Sequence, residues 1–433
     1  MLPRSRPSRI RPALTGVGSV APLLVLVALS ARAAAQEDVQ GAIKSAMDSG
    51  ARFLQTAQNP DGGYGPYGDF RIEAASDVGI TAFVLNALVL HPRRYVEADG
   101  PFISRAVDFL LSKQQADGAF YDLRDPTLKN YKTSVCIMAL SNLNPTRYSA
   151  QLKRAEGFVR AQQMDETLQY DADAHVAFGG YGYGSGLRPD LSNSQFSLDA
   201  MAAMGVSPSD ELWKKAVVFA SRCLNTEEVD PLLRELGVGT SGDGGARYGP
   251  NITRGPSETL DDGTTVFSSY GSMSYAAFKA FLYANVDQSD SRVAGLIDWI
   301  GNNWTLRENP GMATPTNPAA GKHGLFYYYH TMSKALALLG QPTIEDSKGI
   351  EHRWAAELGT HLVRLQKDDG SWLNESDRWW ENLPALDTAY ALISLRECLD
   401  QLASEAKAPK PEKPEKPEPA AEEDAEEEEA EES

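Results

Sequence analysis

The chain has 433 residues, 42% of them hydrophobic, and a formal net charge of −18. So acidic a chain offers no basic stripe to displace counterions, which argues against nucleic acid or anionic lipid as a partner. Three cysteines, without CxxC spacing or a Cys/His knuckle, argue against a disulfide framework and a structural zinc site.

Residues 1–35 open with Arg4, Arg6, Arg9 and Arg11, continue with an apolar run from Val20 to Ala31, and end on Ala33-Ala34-Ala35. This is the pattern of a secretory signal peptide, so the mature protein is expected to be exported, periplasmic or extracellular. Its apolar core is short for a membrane span, and no later stretch is apolar enough to provide a transmembrane segment.

A repeat begins at Gly50-Ala51-Arg52-Phe53-Leu54, reaches Gln58 and turns at Gly62-Gly63-Tyr64. It returns as Ala106 to Gln114 with Gly118-Ala119-Phe120, and as Ala155 to Gln163 with glycines delayed to Gly179-Gly180-Tyr181. Worn copies lie at Ala216 to Leu224 and at Leu296 to Trp304, and the last runs from Leu358 through Gln366 to Gly370-Ser371-Trp372. The spacing of small, aromatic and apolar residues fits an amphipathic helix, which Asp-Gly stops because glycine enters positive φ without penalty.

Between the copies lie runs that are more apolar all round: Asp77 to Leu90, Thr133 to Leu143, Asn193 to Met204, Ser272 to Tyr283, His330 to Leu339 and Asp387 to Leu399. Helices of that kind are enclosed by others, so six outer helices around six inner ones is the expected closure. Asn225 to Tyr270 is a long Gly-, Thr- and Ser-rich excursion at one mouth, and from Lys407 the chain becomes a Pro/Lys/Glu tail of net charge −8 with the composition of disorder. Residues 36–406 are therefore one folded domain between a signal peptide and an acidic tail at 407–433.

The repeat, over residues 50 to 399, resembles that of squalene and oxidosqualene cyclases and of protein prenyltransferase β subunits. The resemblance implies an all-α fold, an α/α toroid (α6/α6 barrel) of about six helix pairs, with a ligand site on the barrel axis near the starts of the inner helices. It also implies what to look for there. The Tyr329-His330-Thr331 step is similar to the one that supplies a histidine zinc ligand in the prenyltransferases, and Asp190 matches their aspartate. Ser192 stands where their cysteine would be, and a neutral hydroxyl is a poor zinc ligand. Asp190 and His330 are thus ligand-binding candidates, the only residues a zinc would use, and the expected cofactor is none.

The cyclases protonate their substrate with a buried aspartic acid in an Asp-x-Asp-Asp-Thr motif, which this chain lacks. Its nearest approaches supply the catalytic candidates Asp77, Asp261, Asp262 and Asp387. Capping is the ordinary role for Asp77 and Asp387 where they stand and the preferred one, and a turn is the preferred role for Asp261 and Asp262. The aromatics Tyr270, Tyr275, Tyr327, Tyr328, Tyr329, Trp379 and Trp380 gather near inner-helix starts, as barrel filling or as the wall of a ligand site. The expected partner is an apolar, isoprenoid-like small molecule. The alternatives are a non-catalytic scaffold or binding protein and a carbohydrate-active toroid. The Gly-Cys-Gly-Glu-Gln thioester of the complement proteins, whose thioester domain is also an α/α toroid, is absent.

Overall fold

The computed structural model describes residues 21–66, 76–184 and 188–407. Residues 1–20 of the expected signal peptide and 408–433 of the expected tail lie outside the described residues. The outer helices are α1 (Ala21–Thr56), then, after α2 (Val78–Leu90), α3 (Pro101–Leu111), and after α4 (Lys129–Leu143), α5 (Ser149–Arg160). The alternation continues through α6 (Leu191–Ala203), α7 (Glu211–Arg222), the short α8 (Pro231–Glu235), α9 (Gly271–Tyr283) and α10 (Ser291–Asn302), and ends with α11 (Leu325–Leu339), α12 (Trp354–Leu365) and α13 (Pro384–Lys407). The inner helices α2, α4, α6, α9, α11 and α13 each pack on the next, and α13 packs back on α2, so the ring is closed. No described helix is long and apolar enough to cross a membrane.

The two layers follow from their side chains. Along α3, Ile103, Ala106, Val107 and Leu110 are buried while Arg105 and Asp108 are exposed, the one-sided pattern of an outer helix. In α2 every residue from Val78 to Val89 is buried, because other inner helices and an outer helix surround it. Three inner helices start earlier than their apolar runs suggest: α4 at Lys129, α11 at Leu325 and α13 at Pro384. The first turn of α4 carries Lys129, Asn130, Tyr131 and Lys132, that of α11 Tyr327 and Tyr328, and that of α13 Pro384, so apolarity alone does not mark them.

The repeat glutamines are brackets between units. Gln58 Nε2 donates to Gly62 O of its own turn (2.8 Å) and to Phe102 O of the next outer helix (2.9 Å). Gln114 and Gln163 do the same toward Gln151 O and Leu212 O, at 2.9 Å each. Beyond each glycine turn, a backbone N–H bonds to a hydroxyl in the first turns of the inner helix: Tyr64 N to Thr81, Phe120 N to Thr133, Tyr181 N to Ser194, Ala246 N to Ser274 and Trp372 N to Thr388. The turns that have both bonds are thereby fastened sideways and inward.

The Asn225 to Tyr270 excursion holds α8 and a hairpin of β1 (Ser257–Thr259) and β2 (Thr265–Phe267). Arg247 anchors it. Its guanidinium is buried and donates to Leu224 O (3.0 Å), Asn225 Oδ1 (2.6 Å), Arg222 O (2.9 Å) and Pro250 O (3.0 Å), so its polar atoms are satisfied by backbone and amide oxygens. Anchored in this way, the excursion delivers Tyr248 and Tyr270 to the mouth of the ring.

Candidate functional site

A cavity of about 310 Å³ opens where the inner helices begin. The third residue of most inner helices reaches it: Ile80 of α2, Tyr131 of α4, Met273 of α9, Tyr327 of α11 and Leu386 of α13, with Ser192 entering from the second position of α6. Deeper wall comes from Phe83 and Tyr390, whose ring centroids are 4.9 Å apart in an edge-to-face pair.

The lining tyrosines spend their hydroxyls largely on one another. Tyr131 and Tyr390 hydroxyls are 3.2 Å apart, and those of Tyr183 and Tyr248 are 2.7 Å apart. Tyr327 donates to Ser192 Oγ (3.0 Å) and accepts from Gln195 Nε2. What these residues present to the cavity is therefore mainly ring surface.

Charge enters at two places. Lys132, buried on the first turn of α4, holds Asp125 Oδ2 at 2.6 Å and Asp77 Oδ2 at 3.5 Å. Asp77 also caps α2, its Oδ1 accepting from Ile80 N at 2.9 Å. Glu381 is the second. Its Oε1 accepts from Tyr327 N (2.7 Å) and its Oε2 from Phe326 N (3.1 Å) and Asn374 Nδ2 (2.7 Å), which seats a carboxylate on the amino end of α11. Burial raises its pKa and these donors oppose the rise. Asp387 is buried beside it, with Asn374 N on Oδ2 at 2.7 Å and no partner for Oδ1. Burial, and then the facing Glu381 charge, raise the Asp387 pKa far above the ordinary carboxylate range.

The lip is strained. Trp379 (φ 58°), Trp380 (φ 69°) and Leu128 (φ 56°) line the cavity in the left-handed region without being glycine. The two tryptophans remain 40% and 48% exposed. Gly324 makes room for them, since a Cβ there would lie 2.9 Å from the Trp379 ring.

Of the residues singled out from sequence, Asp77, Tyr270, Tyr327, Trp379 and Trp380 line this cavity. Asp387 stands behind Glu381. Tyr328 and Tyr329 turn away, tied to Thr305 O (2.9 Å) and Leu306 O (2.6 Å), and Tyr275 packs on Tyr328. Asp261 and Asp262 sit on the exposed turn of the β1–β2 hairpin, where Asp262 Oδ1 accepts from Thr264 N at 2.9 Å; a solvated turn is the wrong environment for a buried acid. Asp190 caps α6, both oxygens engaged by Asn193 at 2.8 Å, and burial raises its pKa to about 6. His330 is enclosed by Phe83, Phe196 and Tyr390 with neither ring nitrogen hydrogen-bonded. Burial, first, and the Lys334 and Lys279 charges lower its pKa well below the ordinary range. Among the described residues no three His, Cys, Asp or Glu side chains converge on a point where a metal would sit.

Tyr131, Lys132, Tyr183, Tyr248, Glu381 and Tyr390 belong to the lining and were not singled out from sequence. The available signal was positional: Tyr131, like Tyr327, is the third residue of an inner helix.

The first part of the chain is similar to the A-macroglobulin TED domain, whose family model matches residues 17–141. The one cysteine in that span, Cys136, is buried in α4, where burial raises its thiol pKa. Among curated proteins none matches the chain. Among solved structures, the type II terpene cyclase MstE from Scytonema is similar over 84% of this chain and 99% of its own, at 12% identity and a TM-score of 0.51. The GH76A alpha-1,6-mannanase from Salegentibacter sp. HEL1_6 aligns over 83% and 99%, at 10% identity and 0.52, and a D-mannose isomerase over 83% and 97%, at 13% and 0.50. The chain is an α/α toroid. At these identities the likeness is one of fold, and two of these three neighbours act on sugars by their names, so the site itself has to carry any functional reading.

Proposed function

We propose that this toroid is an exported binding protein that takes an elongated, apolar, isoprenoid-like molecule into its axial cavity. The observation that carries the reading is the wall: Ile80, Phe83, Leu128, Met273 and Leu386 alternate with tyrosine and tryptophan rings around about 310 Å³, at the lower end of the range for small-molecule sites. Such a wall rewards transfer of a hydrocarbon chain from water by about 25 cal/mol per Å² covered. A sugar would require free hydroxyl partners, and the tyrosine hydroxyls are largely paired with each other. The arginine-led, alanine-ended leader supports export. We propose binding alone because Asp77 is occupied as a helix cap and ion-pair partner and Asp387 is not among the residues that line the cavity.

The test is a titration of the purified protein with geranylgeraniol, followed by tryptophan fluorescence from the Trp379–Trp380 lip, alongside solvent extraction and mass spectrometry of the protein as isolated. The expected result is a saturable one-to-one change that Trp380→Ala weakens several-fold. A flat titration together with an extract free of apolar molecules overturns the reading.

A further inference from the structure

Three observations bear on the polar end of such a ligand. First, the lining carries two carboxylates, Asp77 and Glu381, and one cation, Lys132. That cation is already held by Asp125 at 2.6 Å and by Asp77 at 3.5 Å. An anionic head such as a diphosphate would meet carboxylates and, among the described lining residues, no unpaired positive charge. Second, five of the six lining tyrosines have their hydroxyls tied to other side chains, which fixes their rings with the faces toward the cavity. Third, the rim rings already attract cations: the Arg254 guanidinium carbon lies 5.0 Å from the Tyr248 ring centroid and that of Arg378 lies 5.4 Å from the Trp379 ring. Neither arginine lines the cavity.

We infer that the molecule held in this cavity is an amphiphilic organic cation, an isoprenoid-like chain ending in an amine or quaternary ammonium head. The inference rests on the binding reading above and narrows it. An aromatic enclosure with carboxylates behind it is the arrangement that recognises ammonium heads, because ring faces and anions attract a positive charge together. Glu381, held by Tyr327 N, Phe326 N and Asn374 Nδ2, supplies the anion, and the one cation of the described lining, Lys132, is taken up by Asp125 and Asp77.

Three probes with one chain decide the matter by calorimetry on the full-length protein: geranylgeraniol, its trimethylammonium counterpart and geranylgeranyl diphosphate. The ammonium compound is expected to bind at least about tenfold more tightly than the alcohol, and the diphosphate most weakly. Tyr131→Leu and Glu381→Gln should each lower the ratio of ammonium to alcohol affinity at least about threefold. Because Glu381 also seats α11, the head-group ranking on the unaltered protein is the deciding measurement. Equal affinity for alcohol and ammonium overturns the inference and leaves the binding reading standing. Tightest binding of the diphosphate also overturns it and moves the head group to the rim arginines. Failure of all three probes overturns the apolar-ligand reading and this inference with it.

Discussion

Asp387 keeps its carboxyl out of water next to a second carboxyl, which makes the stability of the fold depend on pH. Its folded pKa is raised by burial and by Glu381, so the folded state holds a proton that the unfolded chain releases above about pH 4. The stabilisation is full below that pH and is lost progressively as the pH rises through neutrality. Asp387→Asn removes the titration and keeps an oxygen for Asn374 N, which donates at 2.7 Å in the native protein. Urea unfolding should therefore find the variant within about 1 kcal/mol of the parent at pH 5 and more stable by roughly 1–3 kcal/mol at pH 9. Parallel pH profiles for the two proteins would show that Asp387 is not the buried acid described. The adjoining threonine is a different matter: Thr388 accepts Trp372 N, a bond made by Thr81, Thr133, Ser194 and Ser274 in other units, so its Asp-Thr step is partly a repeat feature.

At the scale of the element, the glycine turns show what a sequence pattern can and cannot convey. Gly370 has φ +87°, and a Cβ on it would lie 2.6 Å from Ser49 O in α1, whereas Gly205 has φ +71° and open space around it. Valine at Gly205 would meet only the conformational cost, about 1–2 kcal/mol, and valine at Gly370 adds a collision with the first helix, for roughly 3 kcal/mol or more in total. Thermal unfolding followed by circular dichroism checks this, and equal melting temperatures would sink it. The Asp-Gly turn and the repeat glutamine were legible because they recur at a fixed offset. The inner-helix starts were not, because Lys129 to Lys132 mixes charge with tyrosine, and Tyr327 to Tyr329 is a run of tyrosines, where a purely apolar run was expected. That missed register hid the site: with α11 beginning at Leu325, Tyr327 reaches the cavity and Tyr328 and Tyr329 rotate toward Thr305 and Leu306. Glu381 had no pattern to announce it, since a single glutamate in a loop acquires meaning only when α11 places two N–H groups against it.

At the scale of the whole molecule, the decisive bond joins the two ends of the fold. Gln366 Nε2 donates to Gly370 O and, across 320 residues of sequence, to Ala46 O in α1, both at 2.9 Å. This is the bracket that Gln114 makes between consecutive units, to Gly118 O at 3.1 Å and to Gln151 O at 2.9 Å. In an open solenoid a terminal unit has one neighbour, so loosening it frays one end and leaves the rest unchanged. In a closed ring every unit has two, and the last bracket should matter as much as an internal one. Gln366→Ala and Gln114→Ala are therefore expected to cost nearly the same, about 1–2 kcal/mol each, for the lost bonds to partly buried carbonyls, the exposed Arg154 contact of Gln114 adding little. Both should keep a single unfolding transition in urea, with far-UV circular dichroism and tryptophan fluorescence coinciding. If Gln366→Ala instead splits the transition, or leaves its midpoint in place while Gln114→Ala lowers it, the first and last units are not energetically joined. The cavity would then lose the rigid rim that holds Glu381 and the tryptophan lip of one end against Ile80 and Phe83 of the other.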